Sequence, residues 1–182
     1  MTVLEDVGRI ATAAAAFAEP GEEVAGVLVT ETLGRRVYLC AFQSADGRSW
    51  LALGADAEPL SDRRLVREAA SLAALCEVAE ESAGGGHLTE LRARLAELRE
   101  TDNPEGIEEA EAAAASLAEL LEPEPRVASE AYLDAVGSAS RRLEQALGDG
   151  GTSPFAAAMQ AALGSVEGLS DDVERNYKLP LR

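Results

Sequence analysis

The sequence predicts an α+β protein that is mostly helical, and three observations support this prediction. Apolar residues recur at intervals of three and four over most of the chain, which is the period of an amphipathic helix. Between residues 24 and 53 this period gives way to three short runs that are rich in β-branched and apolar residues. Alanine, a strong helix former, supplies 36 of the 182 residues. The predicted order is an N-terminal helix, a three-stranded antiparallel meander, a long helix and a C-terminal helical hairpin or bundle.

The first helix begins at a capping box, in which the Thr2 hydroxyl and the Glu5 carboxylate each bond a backbone amide of the other residue. The Pro20-Gly21 pair ends this segment. One face of the helix carries its apolar residues at spacings of four and three: Val3, Val7, Ile10, Ala14 and Phe17.

Three strands are predicted at Val24–Thr30, Val37–Phe42 and Ser49–Leu53. A sheet with one wet face alternates apolar and polar residues, and these runs do not. We therefore expect both faces to be covered, by the flanking helices or by a second subunit. A three-stranded sheet also has two edges that need protection. Self-association would meet both needs, and the interface candidates are Val27, Val29, Tyr38, Phe42 and Trp50.

The second helix opens at Ser61-Asp62 and runs to about Ser82, where Gly84-Gly85-Gly86 ends it and forms a flexible joint. The joint is the candidate domain boundary. It separates an α-βββ-α domain over residues 1–83 from a helical bundle region over 87–182. A single continuous domain is the alternative.

The region after the joint is predicted to be helical throughout. A leucine-rich segment from Leu88 to Leu98 and a segment starting at Asn103-Pro104 form an antiparallel hairpin. Ser129 caps a further helix, and the glycines of 148–151 end it. Ser153-Pro154 begins the last helix, which we expect to continue unbroken. Its glycines, Gly164 and Gly168, would allow a neighbouring helix to approach closely.

The charge balance excludes several classes of protein. Lys and Arg number 16 against 33 Asp and Glu, so the net charge is −17 and direct binding to DNA or RNA is not expected. No run of apolar residues is long enough to span a membrane, and no secretory signal is recognisable, so a cytoplasmic location is expected. Cys40 and Cys76 lie in apolar runs and are expected to be reduced, buried thiols, with a disulfide between them as the alternative.

Most catalytic groups are scarce in this chain. His87 is the single histidine and follows the triple glycine, so it is interpreted as a linker residue. Lys178 is the single lysine, and neither glycine cluster has the sequence of a phosphate-binding loop. The arginines at 63, 64 and 67, at 92, 94 and 99, and at 141 and 142 are expected to pair with this chain's own carboxylates. An acidic ligand or an interface is their alternative role.

Carboxylates are the one abundant chemical resource. Glu77 with Glu80, and Glu108 with Glu111, are spaced so that each pair shares a helix face and could hold a hard cation. The spacing is similar to the carboxylate rows with which some all-helical nucleotide pyrophosphatases hold metal. Solvated helix faces are the simpler interpretation of such rows in an acidic chain.

Two functions from different classes follow from these observations. The first is a non-enzymatic, acidic, homo-oligomeric interaction or scaffold protein, adaptor- or chaperone-like, which is expected to be a dimer, to have a protein partner and to need no cofactor. The C-terminal Leu179 and Leu181 would then pack within its own assembly. The alternative is a hydrolase of a phosphorylated small molecule that binds Mg²⁺ or Mn²⁺ through Glu77, Glu80, Glu108 and Glu111.

Overall fold

The computed structural model describes residues 2–99, 104–122, 126–147 and 153–182. The predicted N-cap at Asn103, the prolines 123 and 125 and the glycines of 148–151 lie outside these residues. In the described part the order and bounds of the helices and strands are α1 (Val3–Ala15), β1 (Glu23–Thr32), β2 (Arg35–Ser44), β3 (Gly47–Leu53), α2 (Arg63–Ala83), α3 (Gly85–Leu98), α4 (Pro104–Leu121), β4 (Val127–Ser129), α5 (Glu130–Ala146), α6 (Pro154–Ala161) and α7 (Leu163–Arg175). The predicted class, α+β and mostly helical, and the predicted order of elements are confirmed.

The sheet has the strand order β3-β2-β1-β4. The predicted antiparallel meander is present, since β1 pairs with β2 and β2 with β3 in antiparallel register. The strand β4 was not predicted and pairs in parallel with β1, placing Val127 opposite Val29. Three residues are too few to show a strand period, and the partner strand lies about 100 residues earlier in the chain.

The turn between β1 and β2 consists of Leu33 and Gly34, which lie between the paired residues Thr32 and Arg35. Both turn residues have positive φ, 50° at Leu33 and 71° at Gly34. This is the backbone of a two-residue type I′ hairpin, whose twist matches that of the strands. Glycine adopts it freely, whereas Leu33 does so at a steric cost.

The capping box of α1 forms as predicted. The Thr2 hydroxyl accepts a hydrogen bond from the Glu5 amide at 3.2 Å, and the Glu5 carboxylate accepts one from the Thr2 amide at 2.6 Å. The predicted apolar face meets the sheet, since Ile10 and Ala14 are fully buried there. Phe17 lies beyond the end of the helix and remains 38% exposed.

Both faces of the sheet are covered, as the lack of alternation predicted, and elements of the same chain cover them. On one face Tyr38, Cys40 and Phe42 of β2 pack with the apolar residues of α1. On the other face the alternate β2 residues pack with residues of α2 and α7. The β2 residues from Val37 to Phe42 therefore meet an apolar layer whichever way their side chains point, whereas Leu28 of β1 remains 38% exposed.

The chain divides into two compact units. The sheet unit comprises Met1–Ala74, Glu124–Glu130 and Gly164–Arg182, and the helical unit comprises Leu75–Pro123 and Ala131–Leu163. The assignment of domains at 1–83 and 87–182 stays a prediction. The compact units differ from it because the C-terminal segment packs with the sheet.

The core of the helical unit contains residues from every helix in it. The predicted hairpin forms from α3 and α4, with Leu91, Leu95 and Leu117 among the buried residues. Val136 and Leu143 of α5 and Phe155 of α6 complete this core. Alanines such as Ala110, Ala113 and Ala139 fill much of the remaining space.

The expectation of one unbroken last helix is wrong. The helix α6 ends at Ala161, and α7 begins at Leu163. Ala162 separates them with φ −89° and ψ −1°, and its amide points at the carbonyls of residues 158 to 160. Within the described ranges a Cβ built on Gly164 or on Gly168 would meet nothing within 4 Å, so no described helix approaches either glycine closely.

Candidate functional site

The four carboxylates predicted to bind metal do not converge. Glu77 and Glu108 are exposed, and Glu80 accepts a hydrogen bond of 3.0 Å from the Tyr132 hydroxyl. Glu111 is paired with Arg99. Among the described residues no group of three or more His, Cys, Asp or Glu side chains is placed to hold a metal ion. The predicted Mg²⁺ or Mn²⁺ site is therefore not assembled by these residues.

Several arginines pair with the chain's own carboxylates, as predicted. Arg63 and Arg67 of α2 reach Glu174 of α7, and Arg67 also lies 3.5 Å from Asp171. Arg142 of α5 contacts Glu109 of α4 at 3.1 Å. These exposed pairs orient neighbouring helices, and each contributes little to stability because water screens it.

The cysteines are both free and buried, which agrees with the expected buried thiols. Burial raises the pKa of the Cys40 thiol to about 12, so this group stays protonated and is not a nucleophile at neutral pH. The backbone of His87 lies in α3, and its side chain is outside what the structure describes.

Most of the predicted interface residues are core residues of the sheet unit. Val29, Tyr38, Phe42 and Trp50 are each at most 3% exposed. They present no surface to a second copy because the chain's own helices and C-terminal segment cover them. Of the remaining candidates, Val27 and Leu181 are half-buried, and Leu179 is 36% exposed.

The C-terminal segment, residues 176–182, docks on its own chain beside β3. The Trp50 amide donates to the Asn176 carbonyl at 3.0 Å, and the Lys178 amide donates to the Trp50 carbonyl at 2.9 Å. The Lys178 ammonium forms an ion pair with Glu22 and lies 4.5 Å from the centre of the Phe42 ring. This segment therefore covers the edge of β3, which is one of the two edges expected to need protection.

Tyr177 anchors this segment through its hydroxyl, which donates to the Leu60 carbonyl at 2.5 Å and accepts from the Ala52 amide at 3.0 Å. Burial raises the pKa of Tyr177 to about 12. The hydroxyl is therefore a neutral structural group at physiological pH.

A groove of ≈ 320 Å³ in the helical unit is the candidate functional site. Its walls are α5 and α6, and the large apolar residues lining it include Leu133, Phe155, Met159 and Leu163. Leu163 is 45% exposed, and Leu133 and Met159 are half-buried, so apolar side chains in this groove are partly open to solvent. The volume is at the lower end of the range for ligand pockets.

Gly137 lies in the middle of the groove. A Cβ at this position would be 3.6 Å from both the Phe155 ring and the Arg141 guanidinium. Phe155 itself is only 7% exposed, so its ring belongs to the core beneath the groove. This residue was not singled out in the sequence, because a glycine inside an apolar helical period gives no sign of which helix faces it.

The polar residues of the groove are Asp134 and Arg141 on α5 and Gln160 on α6. Arg141 donates to the Gly137 carbonyl of its own helix at 3.2 Å. Within the described ranges neither Asp134 nor Arg141 has an oppositely charged group within 4 Å. Both residues are exposed to solvent where they line the groove.

A buried carboxylate fixes the wall formed by α6. Glu144 of α5 is 3% exposed, accepts a hydrogen bond from the Ser153 hydroxyl and accepts another from the Phe155 amide at 2.9 Å. A carboxylate at a helix N-terminus satisfies free amides and interacts favourably with the helix dipole. Glu144 was not singled out in the sequence, although it directly follows the apolar residue Leu143.

Comparison with protein-family models, with curated proteins and with solved structures gives no match to this chain. In the described part, no helix is long and apolar enough to cross a membrane.

Proposed function

We propose that this protein is a non-enzymatic interaction protein, adaptor- or scaffold-like, which binds another polypeptide in the groove between α5 and α6. The observation that supports the proposal is the groove's apolar lining, in which Leu133, Met159 and Leu163 remain partly exposed. Contiguous apolar surface with a polar rim is typical of an interaction site, whereas single exposed apolar residues are ordinary.

A second support for the proposal is the rigidity of the groove. Glu144 and Ser153 cap α6 and hold its first turn against α5, so the groove exists before a partner arrives. A preformed site saves the cost of ordering it at the moment of binding. The wall is therefore suited to recognition of a segment that itself becomes ordered.

The test is photo-crosslinking in the cells that produce the protein. A photoreactive amino acid replaces Gln160, which lines the groove, and in a matched variant it replaces Gln145, which is exposed on α5 and does not line it. We expect a discrete covalent adduct with a polypeptide from position 160 and none from position 145. Adducts of equal yield at both positions, or none at position 160, would contradict the proposal.

The same experiment tests the expected homo-oligomer. An adduct whose mass is that of two 19.0 kDa chains identifies a second copy as the partner, whereas any other mass identifies a different protein. Self-association stays a prediction, and the structure removes one of its supports, because Tyr38, Phe42 and Trp50 are buried within a single chain.

A further inference from the structure

Lys178, the single lysine of the sequence, lies in a site that the sheet unit forms around its ammonium group. The ammonium forms an ion pair with Glu22 and lies 4.5 Å from the centre of the Phe42 ring, a distance at which an aromatic face attracts a cation. The side chains of Lys178 and Glu22 are only 10% and 13% exposed. Water and salt therefore screen this ion pair much less than the exposed pair of Arg142 and Glu109.

The Glu22 carboxylate is held in place independently of the lysine. It accepts hydrogen bonds from the Glu19 amide at 2.9 Å and from the Ser49 hydroxyl at 3.0 Å. If Lys178 loses its charge, the carboxylate keeps these two bonds and stays largely buried, but it loses its one cationic partner among the described residues. A neutral side chain at position 178 therefore leaves an unpaired charge at this site.

Residues 176–182 are attached to the sheet unit separately from α7. The Lys178 amide donates to the Trp50 carbonyl at 2.9 Å, so this residue cannot shift outward without breaking the bond. The helix α7 has its own anchor, since Val173 is fully buried in the core of the unit. We therefore expect a chemical change at Lys178 to act on residues 176–182 and to leave α7 in place.

We propose that Lys178 is a site of acylation by an acyl thioester and that its acylation releases residues 176–182 from the edge of β3. The ammonium gives one proton to water, and the resulting amine attacks the thioester carbonyl. A C–N bond forms, the C–S bond breaks, and the thiol leaves with a second proton. The product is a neutral amide that carries an added acyl group. This inference goes beyond the proposed function, because the residues that support it all belong to the sheet unit.

Docking of the segment and acylation of Lys178 oppose each other. While residues 176–182 are docked, Glu22 and the Phe42 ring shield the ammonium from a reagent. Once the amine is acylated, the segment has neither the charge nor the shape that the site accepts. Because the coupling between two such events is reciprocal, the factor by which docking disfavours acylation is also the factor by which acylation disfavours docking.

The first test places Nε-acetyllysine at position 178 of the full-length protein and measures the rate of chymotrypsin cleavage after Tyr177. We expect cleavage at least about tenfold faster than in the unmodified protein, because the cleavage rate follows the population of the open segment. Free peptides of residues 172–182, with and without the acetyl group, correct for the preference of the protease. Acetyllysine in place of Arg92, which is exposed on α3, removes the same charge and is the matched control. Equal cleavage of the acetylated and unmodified proteins, or an equal increase in the control, overturns the proposal.

The second test measures the shielding of the amine. The variant Arg92→Lys is treated with N-hydroxysuccinimidyl acetate, and mass spectrometry of its peptides follows both lysines in one molecule. Lys178 should react at least about tenfold more slowly than the introduced lysine, because it reacts only from the undocked segment. Glu22→Gln should accelerate the reaction of Lys178, whereas Glu19→Gln should not, because Glu19 contacts Glu22 only through its amide. Equal rates for the two lysines, or equal effects of the two Glu variants, would mean that the site does not control access to Lys178.

Discussion

At the residue scale, Glu144 makes contacts with another helix that the apolar period of its own helix cannot reveal. Its position next to Leu143 gives it the appearance of a surface residue at the edge of an apolar face, yet it is almost completely buried. The reason is that its carboxylate supplies hydrogen bonds to another helix nine to eleven residues later in the chain. A period describes one helix at a time, so it cannot show that a charged residue has a partner on the next helix.

Replacing Glu144 should therefore destabilise the helical unit in a graded way. Glu144→Ala leaves the Phe155 amide without its acceptor, and we expect it to lower the free energy of unfolding by about 2 kcal/mol. Glu144→Gln keeps one acceptor and loses the charge, so about 1 kcal/mol is expected. Urea denaturation measures both, with Gln145→Ala as the control. Equal stability of Glu144→Ala and the unsubstituted protein would show that the cap is unimportant.

Tyr177 gives a second prediction at this scale, through pH. Because burial raises its pKa from 10.0 to about 12, the folded state favours the neutral hydroxyl. Its contribution to stability is fully present below about pH 10 and is lost as the pH rises toward 12. Tyr177→Phe should remove this alkaline loss, and it should cost about 1 kcal/mol at neutral pH because the hydrogen bonds to Leu60 and from Ala52 disappear.

The measurement is urea denaturation at intervals between pH 7 and pH 12, together with the ultraviolet absorbance of the phenolate. This range includes the ordinary tyrosine pKa of about 10. The difference between the two proteins should show one tyrosine that ionises near pH 12. A difference spectrum that shows ionisation near pH 10 would contradict the buried placement of Tyr177.

At the element scale, the starts of helices were easier to predict than whether a helix continues without a break. The capping box of α1 and the Ser153-Pro154 start of α6 were predicted because each depends on residues that lie close together in the sequence. The break at Ala162 was missed because no proline or cap marks it. The strand β4 was missed because its partner, β1, is remote in sequence.

Two glycines provide predictions of opposite sign for the change in the free energy of unfolding. Gly168 in α7 has open space around it, so Gly168→Ala should raise the free energy of unfolding by about 0.5–1 kcal/mol through helix propensity alone. Gly84, between α2 and α3, has no such space, because a Cβ there would lie 2.9 Å from the Glu80 carbonyl oxygen. Gly84→Ala should therefore destabilise the protein. Urea denaturation of the two variants decides this, and stabilisation by both would mean that propensity outweighs the close contact.

At the scale of the whole molecule, the sequence predicted the class and the covered faces of the sheet but not what covers them. The unbroken apolar strands required two covering layers, and a second subunit was a reasonable source for one of them. The structure supplies α1 for one face and α2 with α7 for the other. The groove could not be predicted for a related reason: the apolar faces of α5 and α6 were visible, whereas their proximity depends on packing.

Charge provides the prediction at this scale. The helical unit has 5 arginines against 16 Asp and Glu, so it carries −11 of the total −17. Salt shortens the range of repulsion from roughly 30 Å at 0.01 M to roughly 3 Å at 1 M. The midpoint of thermal unfolding should therefore rise with NaCl. MgCl₂ at equal ionic strength should raise it equally, and a larger rise with MgCl₂ would indicate a specific divalent site.

The sheet unit consists of segments that are far apart in the chain, so it cannot be completed until the last of them has been synthesised. Residues up to Ala74 emerge from the ribosome first, and the segment from Gly164 that covers part of the sheet follows after the 89 intervening residues have been made. At translation rates of about 5–20 residues per second, that interval is roughly 5–20 s. During this time α2 alone covers one apolar face, and the edge of β3 has no cover from its own chain. An unpaired strand edge is a site for pairing with another chain, so the C-terminal segment protects the protein from aggregation only once its synthesis is finished.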